Sequence, residues 1–392
     1  MPDGREPMQI RTIESIAAIP AAAWDACAGD DNPFVGHAFL KALEDSRSVG
    51  ARTGWMPRHV VVEDGGGALL AAALMYVKGH SNGEYVFDHG WAQAFERAGG
   101  RYYPKLQVAV PFTPVPGPRL LVRPGAGDDD ARAALIHGLV EIAKRTGVSS
   151  LHITFPHEGD ARALADAGLM LRLGIQYHWA NKSYGSFEDF LADLSSRKRK
   201  AIRRERREAL ANGLTIRALS GGDIKPRHWD AFFAFYMDTG DRKWGRPYLT
   251  RAFFDCIGAT MADRVVLMLA EQDGRPVAGA LNLRGRDALY GRNWGCLGEF
   301  KFLHFETCYY QAIEYAIAHK LARVEAGAQG EHKIQRGYMP VPTWSAHWIS
   351  DPAFAVAVED FLKRERPAVE AEIRGLAEYS PFRQAREEPA AG

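Results

Sequence analysis

The succession of helical and strand patterns recurs once along the chain. A recurrence on the scale of half a 392-residue chain points to two similar mixed α/β units, because one large sheet has no reason to repeat its own order. The first half predicts a helical stretch over 21–43, with Trp24, Phe39, Leu40 and Leu43 on its apolar side. A hairpin follows over 59–63 and 68–78 about Asp64-Gly-Gly-Gly67, then a strand over 106–111 and a helix over 129–146. A strand over 150–155, a short helix over 161–167 and a strand over 175–181 complete that half. The second half predicts a strand over 214–219, helices over 229–236 and 250–261, and a hairpin of 264–271 and 276–283 about Gln272-Asp-Gly274. A strand over 288–294, a helix over 305–319, strands over 322–326 and 343–349, and a closing helix over 352–375 end the pattern. The expected units are residues 8–182 and 213–380, joined by 183–212.

The joining segment holds a basic run, residues 195–208, with eight Arg or Lys against two Glu. The formal net charge of +1 conceals it. Ser186 before Asp189 fits a capping box for a short helix ahead of the run. The run itself reads either as a solvated helix or as a site for phosphates of a nucleotide or of RNA. A hydrophobic fraction of 46% excludes a wholly disordered chain. No apolar run approaches the roughly 18 to 20 residues of a membrane-spanning helix, and the first residues carry no secretory pattern. Four scattered cysteines read as reduced thiols, so a cytoplasmic protein is expected.

Four stretches carry more ionisable groups than a scaffold requires. Residues 80–91 and 102–105 bring His80, Glu84, Asp88 and Lys105 to one end of the first hairpin, a mix suited to orienting an amine or a carboxylate. Residues 303–311 place His304 before a helix and Glu306 in its first turn, where the helix dipole also favours a carboxylate. Residues 324–338 leave a strand through three glycines and carry Glu325, Gln329, Glu331, His332, Lys333, Arg336 and Tyr338. Strand ends followed by glycine-rich loops are where α/β folds place ligands. No HExxH, EF-hand, GxxxxGK[ST] or GxSxG pattern occurs, and no ligand ladder announces a metal site, although His304 and Glu306 could pair with His332.

Asn32-Pro-Phe, His80-Ser-Asn-Gly-Glu-Tyr-Val-Phe-Asp88, Tyr102-Tyr-Pro-Lys-Leu106, Arg197-Lys-Arg-Lys200, Leu303-His-Phe-Glu306 and Glu325-Ala-Gly-Ala-Gln-Gly-Glu-His-Lys333 together resemble one group. It is the FemAB-like proteins of peptidoglycan biosynthesis or recognition, within the GNAT acyltransferase superfamily. The resemblance runs from about Ile13 to Glu370 and implies two tandem GNAT-like domains with mixed sheets. It also implies an N-acyltransferase that moves an acyl or aminoacyl group from acyl-CoA or aminoacyl-tRNA to a primary amine of an amino acid, peptide or cell-wall precursor. No permanently bound cofactor is implied, and tRNA is an implied partner.

Transfer to an amine asks for a base, a donor to the tetrahedral oxyanion and an acid for the leaving group. The residues expected in those roles are Glu325 or Glu306 as base, His304 or His332 assisting, and Tyr338 as acid. Arg292, Lys333, Arg336, Arg199 and Lys200 are expected to hold the donor, and His80, Glu84, Asp88 and Lys105 the acceptor. Where a GNAT pyrophosphate loop reads Q/R-x-x-G-x-G/A, Arg292-Asn-Trp-Gly-Cys-Leu-Gly298 is one residue longer. That departure motivates a second reading, a non-catalytic ligand-binding protein on a degenerate double GNAT fold.

Overall fold

The computed structural model describes residues 8–125, 127–211, 213–243, 247–327 and 330–383. The first half runs β1 (Gln9–Ile13), α1 (Ala21–Ala28), α2 (His37–Asp45), β2 (Trp55–Pro57), β3 (His59–Glu63), β4 (Leu69–Ala73), β5 (Met75–Lys78), α3 (His89–Arg97), β6 (Lys105–Val108) and β7 (Leu121–Val122). It ends with α4 (Asp128–Thr146), β8 (Ser150–Thr154), α5 (Glu158–Asp166) and β9 (Met170–Ala180). The connection carries α6 (Phe187–Asp193), capped by Ser186 accepting from the Asp189 N–H at 3.1 Å, and α7 (Ser196–Ala209). The second half runs β10 (Leu214–Ser220), α8 (Pro226–Lys243), α9 (Arg251–Thr260), β11 (Val265–Gln272), β12 (Arg275–Arg284) and β13 (Ala288–Cys296). The helical segment after it begins as α10 (Leu303–Phe305), passes through a π-helical turn (Glu306–Tyr310) and continues as α11 (Gln311–Ala318). Then come β14 (Arg323–Glu325), a 3₁₀ turn (Glu331–Arg336), β15 (Met339–Ile349) and α12 (Pro352–Glu378).

The expected repeat is present, and its edges are sharper than the sequence pattern. The helical stretch expected over 21–43 is two helices: Gly29, at φ 69°, ends α1, and the Asp25 carboxylate takes the His37 N–H at 2.8 Å to start α2. The second hairpin turns on Asp273 and Gly274, both at positive φ (51° and 75°), as a two-residue turn that matches strand twist requires. β15 begins four residues earlier than the expected strand and includes Pro340 and Pro342. Over that stretch β15 pairs only with β9, because β8 joins at Ser345–Ile349, so proline is tolerated beside an open edge.

One sheet of eleven strands crosses the molecule in the order β10-β11-β12-β13-β14-β9-β15-β8-β6-β5-β2, and β1-β3-β4-β7 form a smaller sheet. Its centre is a reciprocal exchange. β9, from the first half, lies against β14 of the second, and β15, from the second, lies against β8 of the first. β9 and β15 pair with each other along nine register positions, from Met339↔His178 to His347↔Met170. The largest core also spans both halves, joining Trp24, Phe34 and Phe39 to Phe232, Phe253 and Phe254. Separate cores lie beneath α11 and beneath α4. Among the described residues, no helix is long and apolar enough to cross a membrane. None of the four cysteines forms a disulfide.

Candidate functional site

In the second half, β13 and β14 run parallel for three register pairs, end with Tyr290 opposite Glu325, and then part. Glu325 is buried at that fork. Its Oε1 accepts from Arg323 Nε at 2.9 Å, while Oε2 has no hydrogen-bond partner and lies 3.8 Å from His178 Nε2. Burial raises the Glu325 carboxyl to about 7, against the pull of the Arg323 guanidinium. Burial, with the charges of Arg323 and Lys333, pushes His178 down to about 3, so its ring is neutral. The buried Arg119 guanidinium also acts on Glu325; it anchors the loop above by donating to the Val115 carbonyl at 2.7 Å.

The other residues expected around a base are held elsewhere. Glu306 is fully buried in the π-helical turn and accepts from Arg206 at 2.9 and 3.0 Å and from Gln311 at 2.8 Å. Arg206 reaches on to Glu314 at 2.8 Å, so Glu306 serves to anchor α7. Tyr338 is fully buried, and its hydroxyl donates to the Tyr309 carbonyl at 3.2 Å. His332 Nε2 lies 3.0 Å from the Tyr309 hydroxyl, and the His304 ring lies 5.3 Å from Trp294 and 6.3 Å from His332. Trp294, Lys301 and His304 line an open groove of about 690 Å³. Among the described residues, no three His, Cys, Asp or Glu side chains converge as metal ligands.

The expected donor residues divide in two. Lys333 donates to the Ala326 and Gly327 carbonyls at 2.7 and 2.9 Å, which ties down the chain just after Glu325, and burial lowers it to about 8. Ala328 and Gln329 of that loop lie outside the described residues. Arg336 pairs with Glu205 at 3.0 Å and sits 3.4 Å over the Phe305 ring. Arg292 is half-buried and donates to the Phe112 carbonyl of the first half. On α7, Ile202 is buried, and Arg206 and Glu205 face the protein through the partners just named. Arg197, Lys198, Arg199, Lys200 and Arg207 make no ion pair among the described residues. Burial, then the charges of Arg197 and Arg336, lower Lys198 against the pull of Glu205.

In the first half, the expected acceptor residues form a buried knot. Lys105 Nζ donates to Ser81 Oγ at 2.8 Å, Glu84 Oε2 at 2.7 Å and Asp88 Oδ2 at 2.5 Å. Lys78 lies 3.7 Å from Glu84 and 3.7 Å over the Trp55 ring. Burial raises Glu84 to about 7 against Lys105 and lowers Lys78 to about 7 against Glu84. Burial also works to raise Asp88, but Lys105 and then His152 outweigh it and hold the carboxyl below its usual range. His80 stands at the edge of this knot, its Nδ1 accepting from the Asn82 N–H at 3.1 Å and its Nε2 3.0 Å from the Thr53 carbonyl.

Sequence reasoning missed His152, His178, Ser345 and His347, all of which lie on strands. The signal was a polar residue at every second position: Ser150 and His152 on β8, Gln176 and His178 on β9, and Thr343, Ser345 and His347 on β15. Such alternation is ordinarily the solvent face of a sheet. Here Ser150, His152, Gln176, Thr343, Ser345 and His347 are buried, and the pairs Ser150–His152, His152–His347, Ser345–His347 and Gln176–His178 lie within hydrogen-bond distance of each other.

The sequence model of the FemAB-like family, described as peptidoglycan biosynthesis/recognition, matches residues 15–384, which bears out the resemblance read from the motifs. No curated protein matches. Among solved structures, the C-terminal domain named for lysylphosphatidylglycerol synthetase from Agrobacterium fabrum shares the fold with a TM-score of 0.56 and 11% identity, over 88% of this chain and 96% of that one. FemX gives a TM-score of 0.55 and 13% identity over 87% of this chain and 98% of that one. L-PGS from Bacillus licheniformis gives 0.51 and 10%, over 85% and 98%. The fold is therefore the expected mixed α/β one, with two GNAT-like halves.

Proposed function

The chain belongs to the FemAB-like family of peptidoglycan biosynthesis or recognition, and from that premise we propose that it is an N-acyltransferase that passes an aminoacyl group from charged tRNA to a primary amine of a cell-wall precursor or peptide. The observation that carries this reading is Glu325, a buried carboxylate with one oxygen unpartnered, at the point where β13 and β14 part. A base for an ammonium works best with a pKa near the operating pH, and burial brings Glu325 to about 7. Glu325 takes one proton from the ammonium, and the free amine attacks the donor ester carbonyl. As the carbon–oxygen bond breaks, that proton passes to the leaving oxygen and a second leaves the nitrogen for solvent. Lys333 acts by positioning the backbone that follows Glu325. The charges of Arg197, Lys198, Arg199 and Lys200, which form no ion pair among the described residues, suit a polyanionic donor.

The test is transfer of radiolabel from a charged-tRNA pool to a peptidoglycan precursor bearing a primary amine, with acetyl-CoA as the competing donor. Glu325→Gln is expected to lower the single-turnover rate by roughly 10²- to 10⁴-fold with donor affinity unchanged. Full activity in that variant overturns the assignment of the base. Transfer from acetyl-CoA alone overturns the donor.

A further inference from the structure

The central strand β9 has a glycine in its interior, Gly174, and that glycine makes a hollow. Opposite residues of an antiparallel pair share a face, and the register sets Arg172 against Ser345 and Gly174 against Thr343. Alternation puts Arg172, Gly174 and Gln176 on that same face. With no side chain at the middle position, the face opens between its neighbours; a Cβ on Gly174 would stand 2.9 Å from Thr343 Oγ1. Glycine within a strand is often the mark of such a close approach.

The hollow is the floor of a cavity of about 230 Å³, lined by Tyr85, Phe87, Phe155 and Trp344 and by the charged groups of Arg172 and Glu365. Tyr85 and Phe155 hold φ at 61° and 56°. That region is costly for any side chain and persists only where the surroundings impose it, as they do at ligand clamps. Phe87 is 61% exposed, an aromatic ring left in water at the side of an aromatic cavity.

Arg172 Nε and Nη2 donate to the two Glu365 oxygens at 2.8 and 2.6 Å. The guanidinium does not depend on that pair for its place. Its Nη1 donates to the Phe87 carbonyl at 2.7 Å, and it lies 5.3 Å from the Trp91 ring and 5.8 Å from the Phe361 ring. Glu365, in contrast, has Arg172 as its one partner among the described residues, and its side chain is 22% exposed. The next residue on α12, Arg366, donates to the Leu171 carbonyl at 2.9 Å and stands 6.0 Å from the Trp344 ring. Two guanidiniums therefore stand by the cavity against one carboxylate. A part-exposed ion pair holds weakly, so Glu365 is the member of this group that is free to leave.

We propose that this cavity binds a small carboxylate with an apolar body, and that Glu365 is the built-in competitor for its place on Arg172. The guest carboxylate takes the side of the guanidinium fork that Glu365 occupies, its apolar body lies over Gly174 between the aromatic walls, and the Glu365 carboxylate turns out to water. One carboxylate replaces another on a fork that stays where Phe87, Trp91 and Phe361 hold it, so the planar two-bond geometry is ready before the guest arrives. A cation has no such place, because the fixed guanidinium repels it. No covalent bond changes, and the site makes no use of Glu325, so it stands apart from the transfer chemistry.

The test is calorimetric titration of the full chain with phenylacetate at pH 7 and low salt, beside phenylacetamide and phenethylammonium as its neutral and cationic counterparts. Phenylacetate is expected to bind at least about tenfold more tightly than either. Glu365→Gln removes the competitor and is expected to tighten phenylacetate by roughly 1.5- to 5-fold, the worth of a part-exposed ion pair, with phenylacetamide unchanged. Arg172→Gln is expected to abolish the preference for phenylacetate over phenylacetamide. Arg172→Lys keeps the charge but loses the fork; it is expected to weaken phenylacetate by about tenfold and serves should Arg172→Gln not fold. Absence of phenylacetate binding to the wild type overturns the proposal, as does equal affinity for phenylacetate and phenylacetamide. Unchanged or weaker phenylacetate binding in Glu365→Gln also overturns it, because Glu365 would then be a bystander or a contact and not a competitor.

Discussion

Glu325→Gln tests whether the carboxyl at the second-half fork is held near neutrality by burial. Glutamine keeps the shape of the neutral acid and removes the titration. The folded carboxyl titrates at about 7 against an ordinary value of 4.5. That displacement of 2.5 units, at 1.36 kcal/mol each, makes the ionised form cost about 3 kcal/mol of folding stability. The sign follows from proton binding. Between the two values the folded state holds more proton than the unfolded chain, so the contribution is full below pH 4.5 and is lost as pH rises through 7. At pH 5 the variant and wild type should therefore be of nearly equal stability. At pH 9 the variant should be more stable by about 3 kcal/mol. With an unfolding entropy of about 2.1 cal/mol/K per residue, this amounts to a Tm gain of about 4 °C. Thermal unfolding at the two pH values measures it. A stability difference that is the same at pH 5 and pH 9 would refute the reasoning, because Glu325 would then be an ordinary ionised partner of Arg323.

Three further outcomes follow from other parts of the structure. Arg206→Leu leaves Glu306 buried without its cation and should cost about 3 to 5 kcal/mol; denaturant titration showing no loss would mean the pair does not anchor α7. His152 stays neutral in the fold down to about 3, whereas the unfolded chain takes up a proton below 6.5, so stability should fall across that window as pH drops. His152→Gln should flatten that part of the profile, and an unchanged slope would remove His152 from it. Replacing Arg199 and Lys200 with Glu should raise the KM for charged tRNA and reduce the salt slope of its binding by about 2, with kcat unchanged; an unaltered slope in filter binding would place the donor elsewhere.

Much of the architecture was legible in the sequence because it is written locally. Asp-Gly turns, amphipathic spacing and a capping serine each act within a few residues, and the recurrence of their order exposed both halves. The exchange of β9 and β15 was not legible, since nothing within a strand names its neighbour and both strands satisfy the same alternation. The proline pair hid the start of β15 because tolerance of proline depends on an open edge that only the assembled sheet defines. The helix α3 was not among the expected elements.

The candidate site divides along the same line. Glu84, Asp88 and Lys105 were recognisable as ionisable groups close in sequence, but their mutual neutralisation appears only when one ammonium reaches both carboxylates. His152 and His347 are 195 positions apart, so no local motif announces their contact. Glu306 and Tyr338 lie in suitable places along the chain, yet the cation of α7 and the carbonyl of Tyr309 already occupy them.

The exchange of strands at the centre of the sheet also bears on inheritance. Two copies of a unit that merely sat side by side would be free to part, and either would be available for recombination into another protein. Here a gene fragment encoding one half would yield β8 or β14 with a bare edge and a long strand with no bed to lie in. Such a product would seek a second copy of itself rather than stand alone. Once the two copies had clasped, each became a condition for the other's survival, so the halves are bound to diverge, be selected and be lost together.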